Sequence, residues 1–412
     1  MSLDEHGGWS GVLGRLTAGA DLSAAECTAV LSEILAGHAT DAQKAAFIVG
    51  LRLKGETVEE LTGLQRAMIA AAEPLNVPDT TIDIVGVGGA PSRRTHALNV
   101  STMAAFVAAG AGASVCKHGN RKASSTSGSF DFLEAIGVDI EISPEQLEAQ
   151  VAEHGVGFAF ARTFHPAMRH VGPVRAELGI PTVFNILGPL SHPGKLTRQV
   201  IGASDWTLAH RMAETFRATG SVRTLIVHGE GGLDELTTTG PSRIVSLEAG
   251  EITEIEVDAT DFGLARVTDD DLAGGDALAN AEISRRVFAG EASPARDIVV
   301  LNAGAGLVAA GIADDLGAGR SCGGGDRRWS RRGEGVGPPG VSQRLRGTKL
   351  GKRGRGSARR PSTASSSMRC AFSSSQRATV RSSSASDRLG GGNGASNTPV
   401  GDDGVRRSRS DG

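Results

Sequence analysis

From residue 81 onward, short runs of β-branched residues alternate with alanine-rich stretches at helical spacing, and this alternation restricts the possible folds more than any other feature. The β-branched runs are Ile82–Val87, Ser114–Cys116, Gly157–Ala161, Thr182–Ile186, Gln199–Ala203 and Thr224–Val227. Strands that alternate with helices pair in parallel and are covered by those helices. The sequence therefore predicts an α/β domain with a mainly parallel central sheet over residues 79–315.

The first 78 residues instead place apolar residues at helical spacing, which predicts a small helical domain. Its helical stretches are Ala24–Ala36, Ala42–Leu53 and Val58–Ala72. Each begins at a capping box in which two side chains satisfy backbone N–H groups, namely Ser23–Glu26, Thr40–Gln43 and Thr57–Glu60. With 412 residues, 39% of them hydrophobic, the chain can bury a core in both domains.

The last segment, residues 316–412, differs from the rest in charge and composition. It holds 20 Lys and Arg against six Asp and Glu, whereas the residues before it hold 23 and 40. Periodicity ends after about Gly317, and Gly, Ser and Arg dominate, so the segment is expected to be disordered. We favour an altered reading frame as its origin over a flexible basic tail. Nucleic acid is expected as a partner only through non-specific attraction to this tail.

Cysteine spacing and hydropathy argue against several classes of protein. Cys27, Cys116, Cys322 and Cys370 are far apart and form no C-x-x-C pair, which disfavours a zinc ribbon or a disulfide framework. No apolar run approaches the roughly 20 residues that span a bilayer, and the acidic start MSLDEHGG is unlike a signal peptide. A cytoplasmic protein without a membrane partner is therefore expected.

A candidate anion site follows the run Ile82–Val87, which leads into Gly88 and Gly89. After a polar loop, Asn99–Thr102 opens an alanine-rich helix. A strand, a glycine turn and a helix N-terminus bind anions, because backbone N–H groups point at the ligand and the helix dipole favours negative charge. A tight turn with Asn99 as a helix cap explains the same residues equally well.

Cations, hydroxyls and glycines are concentrated at Lys117–Ser129, between a second short strand and a helix at Phe130–Ile136. Small residues let the backbone close around a phosphate, while Lys117 and Arg121 would neutralise its charge. This mixture favours a phosphate-binding loop over a solvated one.

Adjacent carboxylates, Asp234 and Glu235, lie in a glycine-rich loop that follows a strand at Thr224–Val227. Carboxylate oxygens are suitable ligands for Mg²⁺, which usually keeps waters and bridges to substrate phosphates. An acidic pair in a loop is also commonly just solvated, so Asp234 and Glu235 support a magnesium site only in combination with the other motifs.

A fourth polar segment is Phe164–Arg175, followed by Phe184–Pro189. Arg175 could pair with a carboxylate in a bidentate manner, and His165 could orient an aromatic acid. The alternative is that these polar groups cap helices and brace turns.

Six motifs in this order resemble the anthranilate phosphoribosyltransferase family of tryptophan biosynthesis, over about Leu13 to Asp314. They are DIVGVGG, NVST, KHGNR-x-x-SS-x-x-G, FHPAMRHVGPVR, FNILGPL and VHGEGGLDELT. The resemblance implies a helical domain joined to an α/β domain, in a homodimer. It also implies 5-phosphoribosyl 1-diphosphate and Mg²⁺, with two ions per subunit, at the carboxyl edge of the sheet, and anthranilate as the acceptor.

The resemblance also implies site residues by position. The diphosphate sugar would contact Gly86, Gly88, Gly89, Asn99, Ser101, Thr102, Lys117 and Ser125. Magnesium would be held by Ser101, Asp234 and Glu235. Anthranilate would contact His118, Asn120, His165, Arg175 and Gly188. The implied chemistry is displacement at the anomeric carbon, with Lys117 stabilising the leaving diphosphate and with Asn120 and Arg175 positioning the amine. Because an aromatic amine is neutral at physiological pH, no general base is expected.

The chain departs from the family pattern in two places. The family sequence GTGGD reads Gly86-Val87-Gly88-Gly89-Ala90, which loses a hydroxyl and a carboxylate, and the loop is longer and contributes Arg93 and Arg94. These arginines would contact the diphosphate instead, or the acceptor has changed. The family continues beyond Leu301–Gly306 through further helices, whereas here only Val341–Leu345 resembles its ending, so exposed apolar surface and lower stability are expected.

Three other functions compete with this interpretation. A related enzyme could use a different aromatic amine, whereas pyrimidine nucleoside phosphorolysis is disfavoured because that pattern lacks KHGN and the histidine-to-Arg175 segment. A nucleic-acid-binding relative would use the basic tail and Arg93-Arg94. A non-catalytic relative is suggested by Val87, Ala90 and the tail.

Overall fold

The computed structural model describes residues 2–88, 98–122 and 126–324. The predictions made for Gly89, Ala90, Arg93, Arg94 and Ser125 lie outside these residues, as do those for the tail from residue 325 onward, including Val341–Leu345. Within the described ranges, no helix is both long enough and apolar enough to cross a bilayer.

Four α-helices form the small N-terminal domain. They are α1 (Gly8–Thr17), α2 (Ala24–Ala36), α3 (Asp41–Lys54) and α4 (Val58–Ala70), preceded by a 3-10 turn at Leu3–His6. The three predicted capping boxes are confirmed, and in each the hydroxyl accepts the backbone N–H three residues later. Gly63 lets α4 approach α2 closely, because a Cβ there would overlap the Ala24 carbonyl oxygen.

The larger domain is built on a mainly parallel sheet, as predicted. Its strands are β1 (Asp83–Gly86), β2 (Val115–Gly119), β3 (Val156–Phe160), β4 (Arg198–Gly202), β5 (Arg223–Gly229), β6 (Pro241–Glu248) and β7 (Glu251–Asp258). One sheet has the order β1-β4-β5-β6-β7, in which β1, β4 and β5 are parallel and β6 and β7 add an antiparallel edge. β2 and β3 form a parallel pair, joined to β1 by a bridge between Ile82 and Val115.

The described residues of this domain also form ten α-helices. They are α5 (Val100–Gly110), α6 (Ser129–Ala135), α7 (Pro144–His154), α8 (Ala161–Phe164), α9 (Gly172–Leu178), α10 (Val183–Leu190), α11 (Trp206–Ala218), α12 (Ala277–Phe288), α13 (Pro294–Ala309) and α14 (Leu316–Gly324). Short 3-10 turns lie at Pro166–His170, Glu230–Gly232, Ala259–Phe262 and Asp270–Leu272. Because strand residues alternate between faces, Val200 and Leu225 pack in the core with α5 and α13, whereas Ile201 and Ile226 pack with α11 and the helical domain.

The segment from α8 to α10 lies against the helical domain. Val171 and Val174 share a buried cluster with Phe47 of α3. The Gln65 side chain of α4 donates a hydrogen bond to the Leu190 carbonyl oxygen at 2.7 Å. Side chains on α9 and α10 are therefore positioned by both domains.

The strand predicted at Thr182–Ile186 is wrong, because these residues open α10. Asn185 Oδ1 accepts the Thr182 backbone N–H at 3.2 Å, which fixes a helix start. Val183, Leu187 and Leu190 recur at helical spacing and are buried against the helical domain. Tertiary burial has thus overridden the β propensity of a short apolar run.

The first residues of the segment predicted to be disordered are helical, because Leu316–Gly324 forms α14. Gly304 of α13 and Gly319 of α14 lie in contact, and a Cβ at Gly319 would lie 2.5 Å from the Gly304 carbonyl oxygen. Glycine has low helix propensity, but here it lets two helix backbones approach each other. α13 is buried along most of its length, so the apolar exposure expected after loss of the family's last helices is not found on that helix.

Candidate active site

Three parallel strands end in glycine beneath the loop that carries Asp234 and Glu235. A Cβ at Gly86, where β1 ends, would overlap the Asp234 carboxylate, and one at Gly202, where β4 ends, would overlap the Asp234 main chain. A Cβ at Gly229, where β5 ends, would lie 2.6 Å from the Glu235 carbonyl oxygen. The loop therefore lies directly on the carboxyl edge of the sheet, where parallel α/β sheets bind ligands.

The two carboxylates reach the two backbone segments that were predicted to bind an anion. Asp234 Oδ2 accepts the Gly88 backbone N–H at 2.8 Å, in the turn after β1. Glu235 Oε1 accepts the Ser101 backbone N–H at 3.3 Å, in the first turn of α5. The structure thus brings the predicted glycine turn, helix start and acidic pair together.

Lys117 on β2 lies beneath this group and is almost fully buried. Its Nζ donates to the Ile84 carbonyl oxygen at 2.5 Å and to Ser101 Oγ at 3.2 Å. Burial lowers the pKa of Lys117, while the charges of Asp83, Glu235 and Asp234 act in the opposite direction. The lysine is thereby held among carboxylates that favour its charged form.

Asn99 occupies the N-cap position of α5, but its side chain makes no capping hydrogen bond to the helix. Its Oδ1 instead accepts hydrogen bonds from Ser127 Oγ at 2.9 Å and from Asn280 Nδ2 at 2.8 Å. The side chain of Asn99 is therefore not a helix cap but joins the start of α5 to the segment before α6 and to α12. Thr102, in the first turn of α5, is buried.

Three buried histidines lie next to this edge. The His118 ring centroid is 5.1 Å from that of His165 and 5.7 Å from that of His192. His192 Nε2 contacts the Cys116 carbonyl oxygen at 2.9 Å and its Nδ1 accepts the Gly194 N–H at 3.0 Å, so Nε2 carries the hydrogen. Burial lowers the pKa of His165 to about 4 and that of His192 to about 3.

His118 is also held neutral. Burial is the largest cause that lowers its pKa well below the usual value, and the other two histidines add to it. A hydrogen bond with the Gly188 backbone acts in the opposite direction. Gly188 itself faces open space, because a Cβ there would meet no atom within 4 Å. His118, His165 and Gly188 are therefore brought together around a neutral, partly open site.

Arg175 and Asn120 lie at the margins of this site. The Arg175 guanidinium lies over the Phe184 ring at 5.4 Å from its centroid, and burial lowers the pKa of Arg175. No acidic side chain of the described residues forms an ion pair with it. Asn120 is exposed at the end of β2, and its Oδ1 accepts the Arg121 N–H at 2.8 Å.

Two residues of the predicted phosphate loops have other roles. Arg121, expected to neutralise a phosphate, forms ion pairs with Glu134 and Asp131 of α6, and the neighbouring Lys122 N–H also binds Asp131. Val87, which replaces the family's threonine, donates its N–H to the Gly202 carbonyl oxygen at 2.9 Å and packs its side chain in an apolar cluster.

Sequence reasoning missed four buried polar residues and one glycine. They are Asp83, His192, Asn280, Asn302 and Gly202. Asp83 is fully buried, accepts the His118 N–H at 3.2 Å, and has its pKa raised to about 7 by burial. Asp83 could have been noticed in the sequence as a carboxylate inside a β-branched run. The other four residues gave no such indication, because the groups that they contact lie far away in the sequence.

The residues present fit magnesium. Ser101, Asp234 and Glu235 offer hydroxyl and carboxylate oxygens at one edge, and the glycine at position 86 leaves room for the Asp234 carboxylate. Among the described residues no three His, Cys, Asp or Glu side chains converge as a closed metal site. Two carboxylates and one hydroxyl suit Mg²⁺, which takes one or two carboxylates and completes its shell with water and phosphate.

Comparison with known proteins gives a consistent result. Residues 10–72 match the helical bundle domain of a glycosyl transferase family, and residues 78–322 match the α/β domain of such a family. The chain is 50% identical over 299 residues to anthranilate phosphoribosyltransferase of a Nocardioides species, covering 73% of this chain and 86% of the relative. It is 46% identical over 305 residues to that of Rhodopseudomonas palustris BisA53, with coverages of 74% and 89%.

Solved structures agree with these sequence matches. Anthranilate phosphoribosyltransferase from Thermus thermophilus is 40% identical, with a TM-score of 0.75 over 81% of this chain and 99% of its own. The enzyme from Saccharomyces cerevisiae, solved in complex with PRPP and Mg, shares the fold at 24% identity, with a TM-score of 0.73 over 82% of this chain and 98% of its own. The chain belongs to the anthranilate phosphoribosyltransferase family.

Proposed function

We propose that this chain transfers the phosphoribosyl group from 5-phosphoribosyl 1-diphosphate to anthranilate, in tryptophan biosynthesis. The amine nitrogen of anthranilate forms a bond to the anomeric carbon as the bond from that carbon to the diphosphate oxygen breaks. The products are N-(5-phosphoribosyl)anthranilate and diphosphate, and the surplus amine proton passes to solvent. The single observation that carries the proposal is the convergence of Lys117, Ser101, Asp234 and Glu235 on the carboxyl edge of the sheet.

The donor would bind across this edge. The turn at Gly86, Gly88 and Gly89 and the start of α5 at Ser101 and Thr102 would contact the diphosphate. Lys117 would stabilise charge on the leaving oxygen, supported by nearby carboxylates that favour its protonated form. Asn99 would hold the two loops in register, and Ser125 would contribute a hydroxyl.

Anthranilate would bind beside the three histidines. Arg175 would pair with the anthranilate carboxylate, since it lies above an aromatic ring without an acidic partner among the described residues. His118 and His165 present neutral imidazoles beside the open face of Gly188, and Asn120 would orient the amine. Because the amine is already neutral, the site works by positioning rather than by proton removal.

Magnesium would be held by Ser101, Asp234 and Glu235, with two ions per subunit, and would supply electrostatic stabilisation of the diphosphate. The yeast relative that was solved with PRPP and Mg is consistent with use of this ion.

We further propose a homodimer in the cytoplasm. We also propose that the helical domain ends near residue 78 and that the α/β domain, placed at residues 79–315 from the sequence, continues through α14.

The test is to mix the full chain with anthranilate, 5-phosphoribosyl 1-diphosphate and Mg²⁺ and to follow the loss of anthranilate fluorescence. The double variant Asp234→Asn/Glu235→Gln is expected to lose at least about 100-fold in rate, because charge stabilisation at the leaving group is removed. Asp269→Asn/Asp270→Asn, an exposed acidic pair, is the matched control and should keep wild-type activity.

Failure of the wild-type chain to consume anthranilate, while it still binds the diphosphate sugar, would exclude anthranilate as the acceptor and direct the search to other aromatic amines. Equal loss in both double variants would exclude a specific role for the acidic pair.

A further inference from the structure

Asn302 of α13 binds the backbone immediately after the acidic pair. Its Oδ1 accepts the Leu236 N–H at 3.0 Å, and its Nδ2 donates to the Leu236 carbonyl oxygen at 2.8 Å and to the Ile298 carbonyl oxygen at 2.9 Å. The side chain is 3% exposed, so water competes little for these bonds. One amide therefore satisfies both main-chain groups of Leu236.

The other end of the loop is fixed by a different contact. Gly229 and Leu233 exchange backbone hydrogen bonds, at 2.8 Å and 3.2 Å. Asp234 and Glu235 are the two residues between this bridge and the Asn302 anchor at Leu236. The strand ends beneath the pair are glycines, so the strands meet the loop through their main chain. The two anchors therefore fix the main chain on either side of the pair, while the carboxylates themselves bind the Gly88 and Ser101 N–H groups.

We propose that Asn302 is a positioning residue for magnesium binding. It holds Asp234 and Glu235 where their carboxylates can bind the ion. The Asn302 side chain binds main-chain atoms of Leu236 and Ile298, so it would act on the carboxylates through the Leu236 backbone. Groups that orient metal ligands in this way change metal affinity by about 10- to 100-fold when they are removed. The inference rests on the proposed function, because it takes the acidic pair to be the magnesium ligand.

The test uses the full chain and magnesium diphosphate as an unreactive probe, with binding measured by titration calorimetry over a range of Mg²⁺ concentrations. Asn302→Asp keeps an acceptor for the Leu236 N–H but places a carboxylate against its carbonyl oxygen. The Mg²⁺ concentration for half-maximal binding is expected to rise by about 10-fold or more. Asn302→Ser, which replaces the amide with an uncharged hydroxyl, is the second variant and should show a smaller rise. Excess Mg²⁺ should restore binding in both.

Val299→Ala is the matched control. Val299 is buried on the same helix, and its apolar side chain makes no hydrogen bond to Leu236. This substitution is expected to lower the melting temperature while leaving the Mg²⁺ requirement and the KM for anthranilate unchanged. An unchanged Mg²⁺ requirement in both Asn302 variants, or an equal rise in Val299→Ala, would overturn the inference alone. Absence of Mg²⁺-dependent diphosphate binding by the wild-type chain would overturn the inference together with the proposed function.

Discussion

At the scale of single residues, the absence of a side chain is as important to this site as the charges. Gly202 ends β4 where the main chain of Asp234 crosses it, so any Cβ there would displace the acidic loop. Gly202 lies outside the motifs that revealed the phosphate loops, and its role becomes visible only through the residue above it.

Gly202→Ala is expected to reduce kcat/KM for the diphosphate sugar on the order of 100-fold, because a displacement of about 1 Å at a catalytic group has an effect of that size. Steady-state kinetics at saturating anthranilate would measure it. Gly14→Ala in α1, where a Cβ meets nothing within 4 Å, is the matched control and should retain wild-type kinetics. Wild-type kinetics in Gly202→Ala would show that the loop accommodates the methyl group.

At the scale of elements, α14 shows how a segment with a poor helical pattern is stabilised by contact. Its sequence LGAGRSCGG is rich in glycine, which disfavours an isolated helix. The small residues nevertheless bring it close to α13, and Arg296 donates to the Gly324 carbonyl oxygen at 3.3 Å. The helix therefore covers the element that carries Asn302.

A chain that ends at Asp315 is expected to melt at least about 2 °C below one that ends at Gly324, because loss of α14 exposes the apolar surface of α13 and α5. Thermal unfolding followed by circular dichroism would measure the difference between the two truncated chains. Equal melting temperatures would mean that α14 adds nothing to stability.

At the scale of the whole molecule, burial of His118, His165 and His192 links stability to pH. Each has its pKa lowered, so each binds a proton more readily in the unfolded chain. When the unfolded state binds more protons, the free energy of unfolding falls as the pH falls. The free energy of unfolding therefore keeps the full contribution of these neutral histidines above the ordinary histidine pKa of about 6.5. It loses that contribution progressively as the pH drops towards 4.

Between pH 7 and pH 5, the free energy of unfolding is expected to fall by about 2 kcal/mol less in His165→Asn than in the wild type. This difference follows from a shift of one histidine pKa from about 6.5 to about 4. Urea unfolding at a series of pH values would measure this. The exposed His38→Gln serves as the control substitution. Parallel pH profiles for wild type and His165→Asn would contradict the assignment of His165 as a buried neutral group.

Features that depend on neighbouring residues could be predicted without the structure. The alternation of strands and helices predicted the parallel sheet, and the capping boxes fixed the starts of α2, α3 and α4, because these patterns act through local hydrogen bonds and periodic burial. The acidic pair and the glycine turn after β1 were also identified in this way.

Features whose partners are distant in the chain became visible only in the folded protein. Thr182–Ile186 became helical because the helical domain covers it, and α14 formed because Gly304 and Gly319 allow contact between two helices. Asn302 and Leu236 are 66 positions apart, and no local pattern relates them. Such pairs form only when folding removes both groups from water, since a buried polar group must then find its partner within the protein.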